Sequence, residues 1–180
     1  MSQLLKFRDT PLHGVKVMTR TVRQDERGGF ARLFCAQELK EAGWSDQVAQ
    51  INWSHTSKAG TVRGLHFQQS IAAEDKLVTC ISGAVWDVAV DLRLQSPTYL
   101  QWHAETLSAE NYQAMLLPKG VAHGFQSLES NSCLLYVHSY PYTPELESGL
   151  RADDPKLKIA WPLAFSEWSA RDRQLPTLDS

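Results

Sequence analysis

Cysteine is scarce and poorly spaced for cross-linking. Three occur, Cys35, Cys80 and Cys133, an odd number with no Cys-x-x-Cys pair. That argues against a disulfide framework and against a structural zinc site. Such usage fits a reducing compartment, and a cytoplasmic location is expected. Surplus positive charge is missing too: 18 Lys and Arg stand against 20 Asp and Glu, a formal net charge of -2. Proteins that neutralise a phosphate backbone carry a basic excess, so nucleic acid is not an expected partner. A small anion stays open, because a few local arginines suffice to hold a diphosphate. No apolar run reaches the length of a membrane helix, and Met1 to Arg8 hold none long enough for a signal peptide. Neither a phosphate-cradling glycine loop nor a Gly-x-Ser-x-Gly elbow is present, which argues against phosphate-loop enzymes and serine hydrolases.

What is present is an ordinary globular composition, 43% hydrophobic and 21% charged over 180 residues, enough for one full core. No repeat, low-complexity tract or linker divides the chain, so residues 1–180 read as a single domain. One short helix is expected over Ala36 to Ala42, stopped by Gly43. The rest reads as strands. Lys76 to Asp91 is rich in β-branched and aromatic residues, with Gly83 marking a turn or bulge between two strands. Further strands cover Gln113 to Leu117, broken by Pro118-Lys119-Gly120, and Cys133 to His138, ended by Pro141. Many short strands with little helix predict an all-β sandwich or barrel. Residues 151–180 are rich in Asp, Pro and Trp and are expected to wrap it, with one short helix around Ser166 to Asp172.

Three clusters carry polar residues where an all-β core is normally apolar. In Gln50-Ile51-Asn52-Trp53-Ser54, period 2 puts Gln50, Asn52 and Ser54 on one face. If Arg63-Gly64-Leu65-His66 forms the next strand, a barrel interior receives Gln50, Asn52, Arg63 and His66 together. Unpaired polar groups there are costly, and a ligand that satisfies them explains their presence. The motif alone is equally compatible with a core histidine bonded to a backbone carbonyl. Pro118-x-Gly120-x-x-His123 is one half of the double-stranded β-helix signature of cupins, in which that histidine often binds metal. The other half, His-x-His followed by Glu, reads His66-Phe67-Gln68 here, so a second ligand is missing and no metal is expected. In the third cluster, Tyr136 and Tyr142 are an even number of positions apart, although Pro141 interrupts the strand between them. Trp53, Trp86, Trp102, Trp161 and Trp168 are most simply core or interface aromatics, and Gly28-Gly29 reads as a turn.

In order, Arg27-Gly28-Gly29-Phe30, Gln50-x-Asn52-x-Ser54, Arg63 to Gln68, Lys76-Leu77-Val78 and Gly83 to Arg93 are followed by Ser96-Pro97-Thr98 and Leu107 to Asn111. Pro118 to Phe125, Tyr136, Tyr142, Asp154-Pro155, Ile159-x-Trp161-Pro162 and Ser169-x-x-Asp172 complete the set. Across nearly the whole chain this resembles the dTDP-4-dehydrorhamnose 3,5-epimerase family. The resemblance implies a jelly-roll cupin, usually a homodimer, that acts without metal or coenzyme on a dTDP-linked 4-keto-6-deoxy sugar. Carried over by position, His66 would be the proton acceptor, Asp172 its orienting carboxylate, Tyr136 the proton donor and Lys76 the partner of the keto oxygen. Arg27, Gln50, Asn52, Arg63, His123, Tyr142, Glu147 and Arg171 would line the substrate and nucleotide pocket. Arg32 stands where the family typically has glutamate, and Val137 and Tyr140-Pro141-Tyr142 depart from the commoner lysine-containing form.

These residue types suit the chemistry. Removing a proton beside a ketone leaves an enolate, and a lysine supplies positive charge where that oxyanion forms. An imidazole titrates near working pH, and a carboxylate on its other nitrogen fixes the tautomer. Three rivals stand beside this reading: a 3-epimerase that leaves C5 untouched or acts on another nucleotide-linked keto sugar, a metal-dependent cupin oxygenase or isomerase, and a binding module without catalysis.

Overall fold

A computed structural model describes residues 4–45 and 47–179; the first three residues of the leader reading lie outside them. In chain order the elements are β1 (Leu5–Asp9), β2 (Lys16–Arg20), β3 (Val22–Asp25), β4 (Gly28–Ala31), α1 (Ala36–Ala42), β5 (Gln50–Thr56) and β6 (Val62–Gln68). There follow β7 (Lys76–Ser82), β8 (Ala84–Asp91), β9 (Trp102–Ser108), β10 (Gln113–Leu117), β11 (Val121–Ser127), β12 (Ser132–His138), β13 (Glu147–Gly149) and α2 (Ala170–Arg173). Helix α1 has the expected bounds. Gly43, at φ 112°, gives its N–H to Lys40 O while Trp44 N–H reaches back to Leu39 O, closing the helix end in a left-handed cap.

The strands form two sheets, ordered β1-β2-β10-β7-β12-β5 and β13-β6-β11-β8-β9, with β3-β4 as a separate hairpin. They face each other across a core that mixes Val78, Met115 and Leu134 of the first sheet with Val85, Ala89 and Phe125 of the second. A second cluster, Leu5, Met18, Leu39 and Trp44 among its members, packs α1 on the outer face of the six-stranded sheet. A third puts Trp86, Val88 and Val90 of β8 beneath Leu157 and Trp161, so the C-terminal segment wraps the other sheet as expected. Trp102 of β9 pins it there through an Nε1 bond to Leu157 O, and Trp161 ties the segment to itself by bonding Ala152 O.

The alternation along β8 therefore has an unusual sense. Its aromatic face is turned outward under the wrap, and Asp87 faces inward. Gly83, at φ 69°, lets the chain leave one sheet for the other, and a Cβ there would fall 2.6 Å from Ser132 Oγ. The last helix begins at Ala170 rather than near Ser166, capped by Ser169 Oγ, which accepts the Asp172 N–H. The hairpin turn consists of Glu26 and Arg27, two positions before the expected Gly28-Gly29, which begin β4.

Candidate active site

At one end of the sandwich the interior turns polar and opens into a cavity of about 610 Å³, a size that holds a small-molecule ligand. From the six-stranded sheet come Asn52 and Ser54 on β5, Lys76 on β7, and Tyr136 and His138 on β12; from the other come Arg63, His66 and Gln68 on β6 and His123 on β11. Glu147 on β13, Tyr142 before it, and Trp168, Arg171 and Asp172 of the C-terminal segment close the mouth.

Arg63 and His66 are three residues apart, so a regular strand would send them to opposite faces. A bulge brings both to the cavity: His123 pairs with His66 while Phe125 pairs with Arg63, two residues of β11 against three of β6. Gly64 makes this possible, because a Cβ there would lie 2.7 Å from Gly124 Cα and from His123 O.

His66 Nε2 lies 2.9 Å from Asp172 Oδ1. A carboxylate only accepts, so Nε2 carries the proton and a neutral ring has its lone pair on Nδ1. Asp172 Oδ2 accepts the Gly64 N–H at 3.1 Å, which ties this carboxylate to the bulge that aims His66. Burial works to raise the Asp172 carboxyl, but the bonds from His66 and Gly64 outweigh it and hold the group below the usual carboxylate range.

Across the cavity, Tyr136 Oη is 3.2 Å from Ser54 Oγ. Burial pushes its phenol well above the ordinary value, so the group is a neutral acid at neutral pH. Lys76 Nζ is 3.1 Å from Glu74 Oε1 and 3.4 Å from the His66 carbonyl oxygen. His123 Nε2 meets Asp87 Oδ1 at 2.7 Å, and Asp87 is fully enclosed. At the mouth Tyr142 Oη donates to Glu147 Oε2 at 2.6 Å, and Arg171 bonds the same oxygen.

Of the twelve residues expected at the site, ten line this one cavity. Gln50 does not line it; its amide donates to Asn52 Oδ1 at 2.9 Å and accepts the Tyr142 N–H at 3.0 Å, so it braces two lining residues. Arg27 lies elsewhere: at the apex of the β3-β4 turn, its side chain 89% exposed, it pairs with Asp25. So exposed and paired, Arg27 does not line the cavity of its own chain. Arg32 is bound to Glu38, which also accepts the Leu4 and Leu5 N–H groups, so its charge braces the N-terminal strand on α1. Trp53, 61% exposed, and Trp168 line the cavity rather than the core. Glu74 and His138, outside the expected set, also line the cavity. Among the described residues no group of three or more His, Cys, Asp or Glu side chains could hold a metal ion, and no helix is long and apolar enough to cross a membrane.

The model of the dTDP-4-dehydrorhamnose 3,5-epimerase family matches residues 9–180. The chain belongs to that family. It is thus an isomerase, and its fold is the family's cupin-type sandwich. A dTDP-4-dehydrorhamnose 3,5-epimerase of Mycobacterium tuberculosis is 37% identical over 97% of this chain and 88% of its own. A dTDP-4-dehydrorhamnose 3-epimerase of Streptomyces niveus is 38% identical over 94% of this chain and 82% of its own. The solved dTDP-6-deoxy-D-glucose-3,5-epimerase of Legionella pneumophila, in complex with dTDP-4-keto-L-rhamnose, superposes with a TM-score of 0.92 at 37% identity, covering 97% of this chain and 93% of that one.

Glu74 and His138 lie outside the expected set for different reasons. Glu74 sits in the irregular stretch before β7, where no periodicity assigns a face, and His138 ends β12. The usable signal was the even spacing of His138 from Tyr136, which predicts a shared face.

Proposed function

We propose that this chain epimerises a dTDP-linked 4-keto-6-deoxy sugar at C3 and C5, each time by proton loss to His66 and proton return from Tyr136. The observation that carries the reading is the origin of the two groups: His66 belongs to one sheet and Tyr136 to the facing sheet, and both line one cavity. Inversion requires the proton to leave one face of the ring and return to the other, which two facing walls provide.

His66 Nδ1 takes the proton from the carbon beside the ketone, and the electron pair of the C–H bond moves onto O4. Asp172 holds the ring and stabilises the imidazolium that forms. The Lys76 ammonium faces the growing charge on O4. Tyr136 then gives its proton to the carbon from the other side, and solvent exchange restores both groups. C3 and C5 both flank C4, so one base serves both positions. Arg63 and Arg171 suit the diphosphate, while Asn52, His123, Tyr142 and Glu147 suit the sugar and base, with Gln50 as support. No metal or coenzyme has a part in this sequence of steps.

A single domain working as a cytoplasmic homodimer fits the reading. Strand β5 is a sheet edge with Ile51 and Trp53 exposed, the kind of edge that soluble proteins cover. Arg27 fits its carried-over role only through that homodimer. The Streptomyces niveus relative favours one second reading, inversion at C3 alone.

NMR of the sugar in D2O tests both. Deuterium is expected at C3 and C5; label at C3 alone selects the second reading. Tyr136→Phe is expected to slow net inversion by about 10²-fold or more while leaving proton loss largely intact. If it stops exchange as completely as loss of His66 does, the roles are wrong.

A further inference from the structure

The steps above leave one buried carboxylate of the cavity unused. Glu74 is 5% exposed in its side chain and divides its two oxygens between two donors: Oε1 lies 3.1 Å from Lys76 Nζ, and Oε2 accepts from His138 Nδ1 at 2.9 Å. His138 is itself fixed. It stands directly opposite Lys76 in the β12-β7 register, stacks on Tyr136 with ring centroids 6.0 Å apart, and turns Nε2 to within 3.4 Å of Asn52 Nδ2. Burial alone would raise Glu74, yet the His138 bond and the Lys76 charge prevail and hold it below its ordinary value, so it is an anion at neutral pH.

We infer that Glu74 is the positioning residue for enolate stabilisation, holding Lys76 as a charged ammonium with Nζ aimed at the keto oxygen, and that His138 anchors Glu74 for this task. The inference rests on the reading of Lys76 as the partner of O4. A lysine has a flexible four-carbon stem and three donors without a preferred direction, so it orients only when something holds it. An ammonium buried without a counter-charge is also driven towards the neutral amine, which donates a hydrogen bond but no charge. Other ionisable groups share the cavity with Lys76: His66 and Arg63 on β6, His123 on β11 with Asp87 behind it on β8, Tyr136 and His138 on β12, Glu147 on β13, Glu167, and Arg171 and Asp172 at α2. Among the described residues only Glu74 forms an ion pair with Nζ.

The test is the pH dependence of kcat and KM for the full chain on a dTDP-linked 4-keto-6-deoxy sugar. Glu74→Gln keeps the shape and removes the charge. It is expected to lower kcat about tenfold or more with little change in KM, and to move the alkaline limb of kcat to lower pH. Glu74→Asp should restore the limb and part of kcat. A wild-type kcat and limb in Glu74→Gln overturns the inference. If that variant fails to fold, as judged by loss of dTDP binding, Glu74→Asp decides: its shorter reach must lower kcat, and a wild-type value overturns the inference. Lys76→Met separates the two levels. If it keeps wild-type kcat, the reading of Lys76 fails; if kcat falls about 10²-fold or more while Glu74→Gln is normal, only the role of Glu74 fails.

Discussion

Two histidines face each other in register on β6 and β11, and each gives Nε2 to an aspartate, yet the two pairs are built for different work. In the His66–Asp172 pair the ring is 28% exposed and the carboxylate 6%; in the His123–Asp87 pair the values are 7% and 0%. Asp172 has a backbone donor besides its histidine and is held below the usual carboxylate range. Asp87 has one oxygen with no partner, and burial pushes its carboxyl up. The same two side chains therefore give a firmly anionic partner under an open ring, and a reluctant anion under a sealed one. Only the first arrangement can accept a proton from a ligand and stabilise the cation that results. The second serves as wall.

Substitutions at the two rings should cross. His66→Ala is expected to lower solvent exchange of the sugar protons by about 10³-fold or more, while dTDP binding, read by calorimetry, stays near wild type. An exchange rate within tenfold of wild type would remove His66 from the chemistry. The second ring should speak through stability instead. His123→Phe leaves Asp87 enclosed with no partner on either oxygen, and breaking such a pair costs about 3 kcal/mol or more. His66→Phe leaves Asp172 with the Gly64 N–H and should cost much less. Urea unfolding of both variants checks the order. Equal losses would mean that the difference in burial has no energetic weight.

Local pattern in the chain fixes some of these elements and leaves others open. Strand β10 has the expected bounds, since Pro118-Lys119-Gly120 cannot continue a ladder, and α1 ends where Gly43 supplies a left-handed residue. Period 2 puts Gln50, Asn52 and Ser54 on one face, of which Asn52 and Ser54 line the cavity while Gln50 does not and bonds to Asn52. The same rule fails for Arg63 and His66, because a bulge at Gly64 adds a residue that no alternation reveals. The Asp172–His66 contact joins positions 106 apart in sequence; resemblance to a family carried it, and local pattern did not. For Glu74, 64 positions from His138, neither source was enough. Its place depends on how an irregular segment lies against β12, which is a matter of packing. Arg27 shows the reverse limit: a family's site residue transferred by position lands on an exposed turn of this chain.

The smallest effect that separates the pairs lies on the acid side of stability. A carboxyl held below its unfolded value contributes stability that is complete above that value, about pH 4 for aspartate, and disappears as pH falls through the folded one. Asp172 is such a group, and Asp172→Asn removes its share. The variant should melt about 2–4 °C below wild type near pH 7, and the two melting curves should converge as pH drops towards 3. Glu74 and Glu147 are held low in the same way and remain in both proteins, so each should still lose stability in acid. A gap that stays constant with pH would mean that Asp172 supports His66 through shape alone, and the distinction drawn between a firm and a reluctant anion would have no basis in charge.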